Sequence, residues 1–136
     1  MEDNPADVYL LRKALQEAGL NFELTVINDG IKALELFRNP ANLAQMPDPD
    51  LAILDLNMPG AGGIEVLTAI RQSPGVADVP VAVITSSADL RERRRAEELG
   101  IERFIVKPHD LDSSLQIGHV LKEVLLGRSP SGGGII

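Results

Sequence analysis

Residues 51–60 of this chain read Leu-Ala-Ile-Leu-Asp-Leu-Asn-Met-Pro-Gly, and this segment carries the strongest signal for the fold. Four apolar residues between turn-forming segments predict a short strand that is buried on both faces. Asp55 ends this strand, and Pro59 and Gly60 then stop the extended run. Ligands of open parallel α/β sheets bind just outside the carboxyl ends of the strands, so we expect Asp55 to lie where chemistry takes place. An ordinary strand-end aspartate that caps the next turn is the alternative.

Two later strand ends carry polar residues that complement a carboxylate. The apolar run 81–84 leads into Thr85, and the run 104–106 leads into Lys107. The carboxyl ends of parallel strands share one edge of a sheet, so an acid, a hydroxyl and an ammonium should meet there. Taken singly, Thr85 is equally well a helix cap and Lys107 a surface lysine. The occurrence of all three in this order favours a common site.

Composition limits the class of protein. The 136 residues are enough for one domain with a single core, and a hydrophobic content of 44% is typical of a folded chain. A net charge of −7 argues against binding to a nucleic-acid backbone, which needs a basic face. Cysteine is absent, which excludes disulfides and thiol chemistry. The sequence contains neither a signal peptide nor an apolar run that could span a bilayer, so we predict a cytoplasmic protein with no membrane partner.

Predicted helices and strands alternate along the chain. Helices are expected over 5–19, 30–38, 63–72, 89–99 and 110–126, and strands over 22–27, 51–55, 80–85 and 103–106. Repeated alternation predicts an α/β fold of the doubly wound type, a three-layer sandwich with a central parallel sheet. We therefore assign residues 1–126 to one domain and residues 127–136 to a flexible tail rich in serine, proline and glycine.

A doubly wound domain normally begins with an apolar strand, and this chain has none ahead of its first helix. It opens with Met1, Glu2 and Asp3. The spare apolar residues are Ile135 and Ile136, which are too few and too closely linked to glycine to replace a central strand in their own chain. We therefore expect an apolar strand upstream of Met1 in the natural protein. The alternatives are that another segment fills the gap, that chains exchange strands, or that the sheet is disrupted.

Glu2 and Asp3 precede the first helix, where a preceding strand would place them at the same sheet edge as Asp55. Three carboxylates repel one another, by about 4 kcal/mol for each pair at about 4 Å and an effective dielectric near 20. A divalent cation relieves that repulsion, and ligands that are all oxygen suit Mg²⁺. An aspartate held beside Mg²⁺ can attack phosphorus to form an acyl phosphate, while Lys107 and Thr85 stabilise the phosphoryl oxygens. Solvated terminal acids are the alternative interpretation of Glu2 and Asp3.

The sequence resembles the receiver domains of response regulators over residues 1–126. The segments that carry the resemblance are Glu2-Asp3-Asn4, Asp55-Leu56-Asn57-Met58-Pro59-Gly60, Thr85-Ser86 and Lys107-Pro108. Three further segments, 2–7, 47–50 and 107–111, are similar to the small stand-alone receivers that work with phytochrome histidine kinases. The chain departs from the family in its first strand, which the family has and which is missing ahead of Glu2.

This resemblance implies the flavodoxin-like fold of chemotaxis regulators and a set of site residues. Asp55 would accept phosphate from the phosphohistidine of a sensor histidine kinase, such as a bacteriophytochrome. Thr85 and Lys107 would bind the phosphoryl group, and Thr85 would act as the switch together with Phe104. The Mg²⁺ ligands would be Glu2, Asp3, Asp55 and the backbone carbonyl of Asn57.

These residues leave three function classes. The first is a phosphate-accepting signalling module, not an enzyme, which acts by changing the proteins that it binds. The second is a phosphatase with an aspartate nucleophile. Such enzymes use an acid two residues after the nucleophile, whereas Asn57 has no carboxylic proton to donate. The third is a docking module that cannot be phosphorylated because Glu2 and Asp3 are misplaced.

Helix 110–126 carries more apolar residues than one sheet face can bury. Besides its core stripe, Leu111, Leu115 and Leu126 extend the apolar surface around the helix. A surplus of this kind indicates a protein contact. We predict a symmetric homodimer through this helix.

Overall fold

The computed structural model describes residues 5–19, 23–27, 29–39, 41–42, 49–56, 62–73, 75–86, 89–108, 110–126 and 134–135. Five helices have both ends in these ranges: α1 (Pro5–Glu17), α2 (Gly30–Arg38), α3 (Gly63–Gln72), α4 (Leu90–Glu98) and α5 (Leu111–Leu126). The strands of the same ranges are β1 (Glu23–Leu24), β2 (Ala52–Asp55), β3 (Val81–Thr85), β4 (Arg103–Val106) and β5 (Gly134–Ile135). The predicted bounds of these helices are confirmed to within two residues.

The central sheet is parallel and has the order β2-β3-β4. Ile53 pairs with Ala82, and Val83 pairs with Phe104. Every residue of β2 and β3 is buried, as expected for parallel strands that are covered by helices on both faces. The residues at both ends of β4 are exposed, which agrees with its place at the edge of this sheet.

Helices cover both faces of the sheet and divide the core in two. On one face, side chains of α2 and α3 pack with Leu54 and Val83. On the other face, Leu15 of α1 and Leu121 of α5 pack with Ile53. The predicted doubly wound, three-layer fold is therefore confirmed, and the strands of the central sheet end at one common edge.

α1 lies directly against α5. Gly118 permits this approach, because a side chain there would collide with the backbone of Ala14. At the end of α1, the Lys122 ammonium donates to the Ala18 carbonyl at 2.9 Å, which satisfies an acceptor that a helix end leaves unpaired. Gly19 then leaves the helix with a φ of 78°, a conformation that favours glycine. These contacts fix the position of α1 on the molecule.

Arg71, near the end of α3, joins the segment before β3 to the segment after α4. Its guanidinium donates to the carbonyls of Ala77 and Val79 at 2.9 and 2.7 Å. It also donates to the carbonyls of Leu99 and Gly100 at 2.7 and 3.0 Å. Hydrogen bonds from a charged donor are stronger than neutral ones, so Arg71 fixes the position of the segment that leads into β3.

α4 has little contact with the core. Of its nine residues, all of which the structure describes, only Ala96 is buried. Asp89 caps its first turn by accepting a hydrogen bond from the Arg91 amide at 2.8 Å. The helix is therefore held by its cap and a single small side chain more than by an apolar face.

The first strand differs from the prediction. Of the strand expected over 22–27, β1 is present, whereas residues 25–27 are not in a strand. β1 pairs in parallel with β5, and Leu24 lies opposite Ile135. Two residues of the tail, Gly134 and Ile135, thus form a short strand. The expectation that Ile135 and Ile136 are too few to replace the missing first strand of the central sheet stays a prediction. An open strand edge presents unpaired backbone groups, which an extended segment as short as this one can satisfy.

Among the described residues, β5 pairs with β1 and is not part of the central sheet. The predicted core stripe of α5 is packed, since Leu121 and Val124 are buried. Of the three residues that extend the apolar surface, Leu115 is half-buried. The side chains of Leu111 and Leu126 lie outside what the structure describes, so the homodimer stays a prediction.

Candidate functional site

Asp55 is the last residue of β2, and its side chain is only 3% exposed. Because β2 is buried on both faces, the strand brings this carboxylate to the edge of the sheet without exposing it. Asp55 lies opposite Ile84 in the ladder with β3. The N-cap residue of the following helix is Gly62, which has no side-chain cap hydrogen bond, so capping of α3 is not the role of Asp55. A buried carboxylate must be compensated by donors or positive charge.

Lys107 supplies that positive charge. Its Nζ lies 2.7 Å from Asp55 Oδ2. The Lys107 backbone N–H donates to the Thr85 carbonyl at 2.7 Å, which extends the pairing of β3 and β4 by one residue. Lys107 therefore lies at the same edge of the sheet as Asp55. With its side chain 23% exposed and ion-paired, Lys107 is not an ordinary surface lysine.

Thr85 is fully buried at the end of β3. It follows Ile84, the ladder partner of Asp55, so the hydroxyl and the carboxylate end neighbouring strands. The alternative that Thr85 caps the next helix is excluded, because Asp89 is the cap of α4. The structure thus brings the three strand-end residues of the sequence prediction to one edge, with direct contact between Asp55 and Lys107.

Asp7 is a member of this site that the sequence analysis missed. It lies in the first turn of α1, and its Oδ2 is 2.8 Å from Lys107 Nζ. The Lys107 ammonium thus lies between two carboxylates from different elements. One feature of the sequence could have pointed to Asp7: it is an acidic residue in the first turn of the first helix.

Phe104, the predicted switch aromatic, lies in β4 and is half-buried against the core beneath α2 and α3. The guanidinium carbon of Arg93, from α4, lies 5.5 Å from the centre of the Phe104 ring. This is the distance of a cation–π contact. An aromatic ring in the central sheet is therefore in contact with α4, a helix with a single buried residue.

A cavity of about 90 Å³ adjoins the site. Its apolar wall comes from α1, β2, β3 and α5, and is formed by Leu10, Leu11, Ile53, Ile84 and Ile117. Asp7, Asp55 and Lys107 form its charged part. The carboxylate and the ammonium therefore face a space and not close-packed side chains.

The remaining predicted metal ligands, Glu2, Asp3 and the carbonyl of Asn57, lie outside the described residues. Within the described ranges, no three acidic, histidine or cysteine side chains converge as a metal centre would require. Asp55 is therefore the one predicted ligand whose surroundings the structure gives.

Comparison with known proteins identifies the class. A family model described as the response regulator receiver domain matches residues 1–117. The match covers most of the chain and includes Asp55, Thr85 and Lys107. The chain therefore belongs to the response regulator receiver family, whose members carry signals in two-component systems.

Several response regulators resemble this chain over most of their length. The response regulator Rcp1 of Synechocystis sp. is 32% identical over 111 residues, which cover 82% of this chain and 76% of that protein. The crystal structure of the phosphorylated cyanobacterial phytochrome response regulator RcpA superposes with a TM-score of 0.82 at 31% identity, covering 96% of this chain and 93% of that one. The Mn²⁺-bound form of Rcp1 gives a TM-score of 0.81 at 28% identity, with coverages of 96% and 94%.

These comparisons confirm the predicted receiver family, its flavodoxin-like fold and the similarity to phytochrome-associated regulators. None of the helices in the described ranges is long and apolar enough to cross a membrane.

Proposed function

We propose that this chain accepts a phosphoryl group on Asp55 from the phosphohistidine of a sensor histidine kinase and transmits the signal through changed protein contacts. The observation that carries the proposal is the pairing of a buried strand-end carboxylate with the Lys107 ammonium at 2.7 Å. This pair faces a cavity at the carboxyl edge of a parallel sheet, which is where such folds bind their ligands.

The transfer is a displacement at phosphorus. An oxygen of the Asp55 carboxylate attacks the phosphorus atom and forms an O–P bond, while the P–N bond to the kinase imidazole breaks. The bonding electrons stay on the imidazole nitrogen, which then takes a proton from water. Lys107 and the Thr85 hydroxyl stabilise the phosphoryl oxygens, on which negative charge accumulates.

Mg²⁺ is the cofactor that we propose for this site. The donor set fits it, because Asp55 supplies a hard carboxylate oxygen and the chain has no cysteine to favour a softer metal. Asp55, Glu2, Asp3 and the Asn57 carbonyl would hold the ion. When bound, Mg²⁺ neutralises charge on the phosphoryl oxygens. A Mn²⁺-bound structure of the relative Rcp1 supports the choice of a divalent cation.

We infer that the chain is a phosphate acceptor and not a phosphatase. A phosphatase with an aspartate nucleophile needs a proton donor two residues later, and Asn57 occupies that position. A docking module that cannot be phosphorylated is disfavoured by the Lys107 contact, since such a module has no need of a compensated carboxylate beside a cavity.

The proposed kinase is of the phytochrome type, on the strength of RcpA, a phytochrome response regulator that is 31% identical.

We further propose a cytoplasmic homodimer with no nucleic-acid partner. The net charge of −7 supports the absence of nucleic acid. The half-buried Leu115 supports a contact through α5. Light scattering of a chain with Leu115→Glu and Leu126→Glu should give a monomer, and a parent chain that is already monomeric would contradict the dimer.

Intact mass measurement tests the acceptor. After incubation with Mg²⁺ and acetyl phosphate, the parent should gain one phosphoryl group, and peptide mapping should place it on Asp55. Asp55→Asn should gain none. Asp112→Asn, which removes an exposed acid from the first turn of α5, is the matched control and should behave like the parent. A parent that stays unmodified, or an Asp55→Asn chain that is still labelled, would contradict the proposal.

The kinase is tested separately. A bacteriophytochrome kinase labelled on its histidine should transfer phosphate to this chain faster than a labelled kinase from an unrelated pathway. Equal rates from the two kinases would contradict the phytochrome assignment and leave the acceptor role intact.

A further inference from the structure

We propose that Asp7 is a positioning residue for phosphoryl transfer, which holds the Lys107 ammonium at the site before and after Asp55 is phosphorylated. The inference rests on the proposed acceptor role of Asp55. It starts from one juxtaposition: Asp7 Oδ2 and Asp55 Oδ2 lie 2.8 and 2.7 Å from the same lysine nitrogen.

The two carboxylates differ in what happens to them. Asp55 becomes an acyl phosphate when the O–P bond forms, so its negative charge moves outward onto the phosphoryl oxygens and its contact with the ammonium must change. Asp7 takes no part in the chemistry, and its carboxylate stays in place. The contact of Lys107 with Asp7 therefore persists while its contact with the Asp55 carboxylate is exchanged for one with the phosphoryl group.

A lysine needs such an anchor. Its charge lies at the end of a flexible four-carbon chain, and the ammonium has three donors. One donor can stay on Asp7 while another contacts a phosphoryl oxygen. Without Asp7 the ammonium loses one of the two carboxylates that fix its rotamer, and because the Lys107 side chain is partly open to solvent, its position at the site becomes less well defined.

The anchor is fixed by the fold. Asp7 belongs to α1, and α1 is held on α5 by the close contact of Ala14 with Gly118 and by the hydrogen bond from Lys122 to the Ala18 carbonyl. The carboxylate is therefore presented from a packed helix, and its distance from Asp55 is set by backbone packing.

The first test is the rate of Asp55 phosphorylation by acetyl phosphate with Mg²⁺, followed by intact mass. Asp7→Asn should slow the reaction about tenfold, the size of effect expected when a charged group loses its orientation. Asp7→Glu, which keeps the charge at a longer reach, should recover part of the rate. Glu17→Gln removes an exposed acid from the same helix and should react like the parent. An Asp7→Asn chain as fast as the parent, or Asp7→Glu as slow as Asp7→Asn, would overturn the proposal.

The second test asks whether Asp7 acts through Lys107. In a Lys107→Gln background, the further change Asp7→Asn should leave the rate unchanged, because no ammonium remains to be positioned. An equal slowing in both backgrounds would show a merely structural role and would also overturn the proposal. A parent that is never phosphorylated would instead overturn the acceptor role of Asp55, and this inference with it.

Discussion

The Lys107→Ala substitution removes one ammonium from between two carboxylates. In the parent, the side chains of Asp55 and Asp7 are 3% and 31% exposed, and both lie within hydrogen-bond distance of Lys107 Nζ. Removing one partner of a buried ion pair costs about 3–5 kcal/mol, because the other charge stays buried without compensation. Lys107 is 23% exposed, so water can enter the space that it leaves. We therefore expect the lower end of this range, a loss of about 3 kcal/mol in the free energy of unfolding.

Urea unfolding followed by circular dichroism measures this loss. The experiment is done in EDTA, so that no divalent cation replaces the ammonium. Combining Lys107→Ala with Asp55→Asn should restore most of the stability, because the buried charge that lost its lysine partner is then absent. Lys13→Ala, which removes an exposed lysine from α1, should change the stability by less than about 0.5 kcal/mol. The reasoning is refuted if Lys107→Ala is as stable as the parent, or if the double variant is no more stable than the single one.

Three more substitutions test the packing around the site, each by urea unfolding. Gly118→Ala should cost about 2 kcal/mol, because the new methyl group meets the backbone of Ala14 and separates two helices; a neutral result would contradict this close approach. Arg71→Ala should cost about 3 kcal/mol through the loss of hydrogen bonds to four backbone carbonyls, and a cost under about 1 kcal/mol would show that water replaces them. Arg93→Gln also breaks the exposed ion pair with Glu97 in either background, so it should cost about 0.5 kcal/mol more in the parent than in a Phe104→Leu background, whereas equal costs in both would rule out the cation–π contact.

The fold and the common edge of Asp55, Thr85 and Lys107 could be predicted because they follow from local patterns. The apolar runs that lead to these three residues are strands by composition, and parallel topology then requires their ends to meet at one edge. That requirement is independent of which side chains touch. The prediction of a common edge therefore needed no knowledge of tertiary contacts.

Other features depend on contacts that no local pattern encodes. The pair of Asp7 and Lys107 joins residues 100 positions apart, and it depends on how far α1 reaches along the sheet. The pairing of Leu24 with Ile135 involves two-residue strands, which are too short to show any periodicity. The coverage of α5 by α1 follows from a single glycine, Gly118, whose role is visible only when both helices are in place.

The thin attachment of α4 has an evolutionary consequence. A helix that contributes only Ala96 to the core can exchange nearly all its other side chains with little effect on folding. Duplicated genes for such a chain can therefore acquire different surfaces on α4 while Asp55 and Lys107 keep their geometry. Copies of the chain can in this way come to differ by drift on one surface, without any change at the edge of the sheet where the buried carboxylate lies.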